Sequence, residues 1–244
     1  VTAIAAEGFA GCAAMTSVNI PGSVTSLGDR AFDGCAALRA ITIPDGATSI
    51  GNNAFRNCLD VRDLYIPASV TSFGDRILEG STGHIISVTI LSTAYPLGPE
   101  FSHLPGLTSV TIATPVITPY AFSSNYALSS LTLLDSVTAI GDGAFLNCPA
   151  LTTVTIPNGV TSIGREAFLE CRGIETLSLP DTLLSIRELA FEHCLALTEV
   201  TIPDGIASIG NMAFSYCSLL STVWVKPYSP PTAGTGLFEG HGVT

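Results

Sequence analysis

Apolar and polar positions alternate strictly in short runs along this chain. In residues 151–157, LTTVTIP, Val154 and Ile156 are apolar while Thr153 and Thr155 are polar. This is the period-2 signature of a half-buried strand rich in β-branched residues. Pro157 ends the run because it has no N–H to give a ladder, and Pro21, Pro44, Pro67, Pro180 and Pro203 stand in the same place after similar runs. An Asn158-Gly159 turn leads into VTSI, read as a continuation of the turn with Val160 and Ile163 three apart. Gly164 follows, which predicts backbone at positive φ there; Gly28, Gly51, Gly74, Gly141 and Gly210 fill the same slot and Arg187 departs from it. The segment REAFLEC is then short and helical in pattern, with Ala167, Phe168 and Cys171 on an inner face and Arg165, Glu166 and Glu170 outside.

The whole pattern recurs. Phe9, Phe32 and Phe55, and again Phe122, Phe145, Phe168, Phe191 and Phe214, follow each other in steps of 23 residues. Leu78 and Phe101 continue the count between the two runs, the step from Phe101 to Phe122 shortens to 21, and Phe238 follows at 24. A unit of this size cannot bury its apolar face alone, so about ten copies must stack. Their strands then pair in parallel about 4.8 Å apart. The expected fold is an α/β repeat, a curved solenoid with one continuous parallel sheet of about ten strands on the concave face and short helical or 3-10 turns on the convex face. The expected organisation is a single domain over residues 1–244, irregular at 77–120, with a degenerate terminal repeat at 226–244. In the irregular segment Ser81 and Leu104 replace the repeat cysteine, yet Val88, Ile90, Val110 and Ile112 keep the inward alternation. Two short solenoids, 1–79 and 120–244, joined by a linker are the alternative.

The copies LRAITIPDGATSIGNNAFRNC, from Leu38, and LTEVTIPDGIASIGNMAFSYC, from Leu197, carry the pattern L-x-x-[IV]-x-[IL]-P-x-x-V-T-x-I-G-x-x-A-F-x-x-C. Over nearly its whole length the chain resembles the BspA-like, treponemal-type leucine-rich repeat family. The resemblance implies a right-handed solenoid from a bacterial or protist protein, usually exported, with adhesion to or binding of host proteins as its role. It implies an extracellular, cell-surface or periplasmic location and brings no catalytic residues.

Composition narrows the partners. Charged residues make up only 12% and the balance is −11, with a single lysine, Lys226, among nine basic residues. No basic stripe exists to neutralise a nucleic-acid backbone or an anionic membrane. Every apolar run is broken well short of the roughly 18 residues a membrane span requires. The chain begins at Val1 with no basic or apolar leader, so any export signal is expected to lie outside it or to have been removed.

Candidate chemistry mostly dissolves into the period. Cys12, Cys35, Cys58, Cys148, Cys171, Cys194 and Cys217 each stand three residues after a repeat phenylalanine, and Asn125 takes that place once. No metal-ligand clustering such as C-x-x-C occurs, so no metal and no cofactor is expected. One phase repeated predicts a structural ladder of small, buried, reduced side chains beside the phenylalanines. Ser26, Ser49, Ser162 and Ser208 do not form the G-x-S-x-G elbow of hydrolases and read as turn formers. His84, His103, His193 and His241 occupy different phases without a catalytic partner, and GTGLFEG, 234–240, reads as the opening of a terminal repeat rather than a phosphate loop. No catalytic residue and no enzymatic activity is expected.

The outward strand positions are more informative. They form a Ser/Thr lattice, Thr153, Thr155, Thr176, Ser178 and Thr201 among them, which pairs well across strands and keeps the face wet. The exceptions mark the candidate ligand-binding residues: Tyr65 with Arg39, Arg62 and Asp63, and Trp224 with Glu199. Arginine and aromatic residues are what interfaces favour at hot spots. The leading reading is a non-enzymatic binding or adhesion module whose partner is a protein, such as a host or matrix protein, or the chain itself. A structural, self-assembling solenoid joined through its open ends is the alternative, since the chain starts inside a repeat. Ice binding through the paired T-x-T rungs is a third reading, which curvature of the sheet would spoil.

Overall fold

The computed structural model describes residues 1–226 and 231–240, so His241 and parts of the expected terminal repeat at 226–244 lie outside the described residues. The chain is a parallel-strand β-solenoid of about ten turns, divided into two compact units. The first comprises Val1–Pro96 and Ser109–Thr114, the second Leu97–Thr108 and Pro115–Thr244.

In the first unit the expected strands appear as Ala40–Thr42, Asp63–Ile66, Ser87–Ile90 and Ser109–Ile112, paired in parallel and in register, with Ile41 beside Leu64, Leu64 beside Val88, and Val88 beside Val110. All four of these side chains are buried. The first copy is different, since the stretch containing Ser17 and Asn19 forms no strand. A second parallel ladder runs through Ala3–Ile4, Ser26–Leu27, Ser49–Ile50 and Ser72–Phe73. The second unit repeats the design with a six-stranded ladder, Val116–Ile117, Ala139–Ile140, Ser162–Ile163, Ser185–Ile186, Ser208–Ile209 and Thr232–Ala233. There the longer strands pair as Thr153–Thr155 with Thr176–Ser178 and as Glu199–Ile202 with Thr222–Val225.

The serines read as turn formers are therefore strand residues. Beside them Thr25, Thr48, Thr138 and Thr161 each donate a side-chain hydrogen bond to a backbone carbonyl of the preceding turn, which accounts for the recurrent VTSI. The glycine after it is not there for positive φ, because the glycines with positive φ lie elsewhere. A Cβ on Gly51 would stand 2.5 Å from the Asp29 nitrogen, and one on Gly164 would strike the Gly141 backbone. Close approach of successive turns, rather than backbone conformation, selects glycine here.

The expected helix is also replaced. Residues two before and two after the repeat phenylalanines lie in the left-handed region, except before Phe101, where Pro99 stands: Glu166 and Glu170 flank Phe168 at φ 57° and 62°. Such residues cannot continue a right-handed helix, so the segment folds as two successive turns. The apolar spacing misleads because Ala167, Phe168 and Cys171 point inward in either conformation, and all three are fully buried. Among the described residues the only helix is a single 3-10 turn, Pro99–Phe101. Backbone N–H groups of these turns reach the next turn's carbonyls, as from Phe168 to Ala190 at 2.8 Å, and add a third inter-turn column.

The core of each unit is a stack. In the first, Phe9, Phe32 and Phe55 lie parallel with centroids 5.2 Å apart; in the second, Phe145, Phe168 and Phe191 repeat that 5.2 Å spacing. This is the offset-stacked geometry that ring quadrupoles favour over a face-to-face sandwich. Phe9, at 38% exposure, and Cys12 depart from the expected burial. Both belong to the first described turn, which packs on the turn that follows it through Phe32.

Candidate functional site

The thiol column has a specific bonding role. Cys35, Cys58, Cys148, Cys171, Cys194 and Cys217 are buried, and each donates to the carbonyl of the phenylalanine one turn earlier, from Cys171 to Phe145 at 3.1 Å and from Cys58 to Phe32 at 3.2 Å. At two of the positions where cysteine is missing another donor serves: Ser81 bonds the Phe55 carbonyl, and the Asn125 amide bonds Phe101 and Phe122 while its oxygen accepts the Leu104 N–H; Leu104, which takes the cysteine place after Phe101, has no side-chain donor. All seven cysteines are free thiols. Burial pushes the Cys58 thiol up to about 12 and the Cys171 and Cys194 thiols well above their ordinary range, with neighbouring cysteines adding to the shift. A thiolate is the nucleophilic form, so these groups are poor nucleophiles and good packing donors. Among the described residues no group of His, Cys, Asp and Glu could hold a metal ion, and no helix is long and apolar enough to cross a membrane.

GTGLFEG is likewise repeat material. Phe238 stacks on Phe214 at 5.9 Å, and Gly236 and Gly240 take the two left-handed positions around it.

In the first unit two of the candidates, Arg39 and Arg62, gather around a residue that sequence reasoning left out, while Asp63 and Tyr65 make other contacts. Asp60 lies 3.5 Å from Arg39 Nε, 3.7 Å from Arg62 Nη2 and 4.0 Å from His84 Nδ1. Exposed pairs of this kind contribute under about 1 kcal/mol each, so they orient the two guanidinium groups without consuming them. Asp63 sits between Ala40 and Ser87 in the ladder and accepts the Ser87 hydroxyl. Tyr65 is flanked by Thr42 and Thr89, and its hydroxyl donates to Asp45 Oδ1 at 3.2 Å. Partial burial, and then the Asp45 charge, raise its phenol above the ordinary range. Asp60 and His84 were findable only through register: they stand 24 residues apart, like Asp63 and its partner Ser87.

In the second unit, Glu199 is exposed opposite Thr222, and Trp224 is 59% exposed opposite Thr201. They are diagonal neighbours, within reach of one ligand. Lys226 continues from the same strand to Asp181, 3.6 Å away. It lines an open depression of about 470 Å³ with Thr155, Asn158, Ser178 and Asp135. This surface offers hydroxyls, carboxylates and an indole face.

Comparison with known proteins agrees with this construction. The model of the BspA type leucine rich repeat region matches in six copies over residues 2–116 and 98–221. No match is found among curated proteins. Among solved structures, a leucine-rich repeat protein from Eubacterium ventriosum is 27% identical over 100% of this chain and 81% of its own, with a TM-score of 0.47. One from Bacteroides ovatus is 22% identical over 98% of this chain and 80% of its own, at 0.44. A protein from Faecalibacterium prausnitzii, described as a leucine rich cell surface protein, is 30% identical over 92% of this chain and 64% of its own, at 0.44. With the repeat model matching in six copies across most of the chain, including both compact units, the chain belongs to the BspA type leucine-rich repeat family.

Proposed function

We propose that this chain is a non-enzymatic protein-binding or adhesion module of an exported or surface protein. Its contact surface is the Ser/Thr-rich strand face, centred on Arg39, Arg62, Asp63 and Tyr65 in the first unit and on Glu199 and Trp224 in the second. Leucine-rich repeat proteins generally serve as non-enzymatic protein-binding scaffolds, and export is what the family resemblance implies. The observation that carries the reading is Trp224, an indole 59% exposed on a wall of hydroxyls. It does little there for the core, whereas covering such a ring at an interface is worth about 2 kcal/mol or more. The guanidinium groups of Arg39 and Arg62, 66% and 52% exposed, offer the same kind of contact.

The test is an array of host, matrix and bacterial surface proteins probed with the wild-type chain and two folded variants, Arg39→Ser/Arg62→Ser/Tyr65→Thr and Glu199→Thr/Trp224→Thr. A saturable partner is expected, its affinity reduced about tenfold or more by at least one variant. No partner for the wild type, or a partner indifferent to both variants, overturns the assignment.

A further inference from the structure

The two units use the polar groups of their strand faces differently. In the first unit these groups bond one another: Asp63 accepts the Ser87 hydroxyl, Asp45 accepts the Tyr65 hydroxyl, and Arg39 and Arg62 lie beside Asp60. In the second unit Asp135, Thr155, Asn158 and Ser178 are all exposed around the depression of about 470 Å³. None of these four side chains bonds or pairs with another residue among the described ones. Their free capacity is mixed: a carboxylate that only accepts, a carboxamide that donates and accepts, and two hydroxyls that do both. Lys226 borders the same depression and stands 3.6 Å from Asp181, with both side chains more than half exposed.

The exposed indole stands in the row that floors this depression. Thr155 pairs with Ser178 and Thr201 with Trp224, and the four recur at the repeat period on the outward side of their strands. Two strand spacings, about 10 Å, therefore separate Trp224 from Ser178 along the row. The indole face carries the negative side of a ring quadrupole and attracts polarised C–H groups laid flat upon it. A ligand that fills both places needs an apolar ring face beside closely spaced groups that donate and accept together. That is the chemistry of a pyranose sugar. Charge selects a neutral one. An anion would meet Asp135, Asp181 and Glu199, and a cation would meet Lys226, which already lies against Asp181.

We infer that the second-unit strand face binds a neutral oligosaccharide, the glycan of a protein partner. One pyranose ring stacks on Trp224, and the rings that follow it are hydrogen-bonded by Ser178, Asn158, Asp135 and Lys226 in the depression. The inference rests on the reading of this face as a contact surface and names what the face holds. The depression is open, so a chain of rings enters it from the side of Trp224 without any rearrangement of the strands.

Trp224 is the only tryptophan of the chain, so its fluorescence reads this site directly. The probes are cellotetraose and a tetrasaccharide of repeating N-acetyllactosamine, with tetragalacturonate as the anionic counterpart. At least one neutral tetrasaccharide is expected to shift the emission saturably, and tetragalacturonate to bind about tenfold more weakly or not at all. Asn158→Ala and Asp135→Ala leave the indole in place, and each should weaken the neutral sugar about tenfold. Asp135→Asn, which keeps the side-chain shape, serves should an alanine variant fail to fold. Asp45→Ala, at the corresponding place in the first unit, should leave affinity within about twofold. No response to either neutral sugar, equal binding of tetragalacturonate, or binding indifferent to the changes at 135 and 158 overturns the inference. Periodate, which cleaves the vicinal diols of glycans, separates it from the broader reading. A protein partner that needs Trp224 yet survives periodate keeps the contact surface and overturns the saccharide; a partner lost on the same treatment supports both.

Discussion

A residue in the left-handed region tests the turn geometry by itself, because the sign of the effect depends on which residue is there. Arg76 has φ 52° with its side chain 73% exposed and forms a surface pair with Glu79. A non-glycine residue in this conformation costs roughly 1–2 kcal/mol, and glycine gives back part of that through its entropy in the unfolded chain. Arg76→Gly should therefore stabilise the protein by about 0.5–1 kcal/mol. Gly80, the corresponding residue after Leu78, has φ 73°, and a Cβ there would stand 2.8 Å from Asn57 Oδ1. Gly80→Ala should destabilise by about 1–2 kcal/mol. Urea denaturation of the two variants measures both, and equal signs would mean that the paired turns are assigned wrongly. Trp224 and the arginines stand out in the sequence as breaks in a Ser/Thr lattice, whereas Asp60 and His84 do not. Their place beside the arginines depends on register, which no local composition reveals.

Elements were legible in proportion to their length. Strands such as Asp63–Ile66 and Ser87–Ile90 carry enough alternation to fix both existence and register, even inside the irregular segment. Two-residue strands such as Ser49–Ile50 have no measurable period, so the second ladder was hidden in what looked like a turn. The helix was misread for a different reason, since inward residues at 167, 168 and 171 satisfy a helix and a pair of turns equally. The thiol column was legible as a column, but its hydrogen bonds to the phenylalanine carbonyls were not. Those bonds and burial favour the protonated thiol in the folded state. With Cys58 raised from 9.0 to about 12, its contribution is complete below about pH 9 and falls between pH 9 and 12. The slope is about 1.4 kcal/mol per pH unit for each such thiol, because the native state then holds a proton the unfolded state has lost. Denaturation midpoints followed from pH 8 to 11 should be level and then decline. At neutral pH a thiol reagent should modify Cys12 quickly and the six buried cysteines slowly, with seven titrating after denaturation. Seven equally fast thiols in the native protein would contradict the column.

At the scale of the whole molecule, the order in which the chain contributes to its compact units decides what a single cut can do. We propose that residues 1–244 behave as one solenoid domain, and proteolysis between Ser81 and Pro99 tests it. Such a cut leaves Ser109–Ile112 on the C-terminal fragment. That strand belongs to the first unit, where it pairs in register with Ser87–Ile90 and places Val110 and Ile112 in the core. A cut before residue 87 also moves Ser87–Ile90 away from Asp63–Ile66, its other ladder neighbour. Because a solenoid is stabilised mainly by interfaces between neighbouring turns, removing one strand exposes the apolar face of the next. Separation would thus uncover either Ile90 and Val88 or Leu64 and Ile66, all buried in the intact unit. The fragments should remain associated after nicking and should elute together under native conditions, parting only in denaturant. Two fragments that separate freely, each retaining its own cooperative unfolding transition, would instead establish two short solenoids joined by a linker.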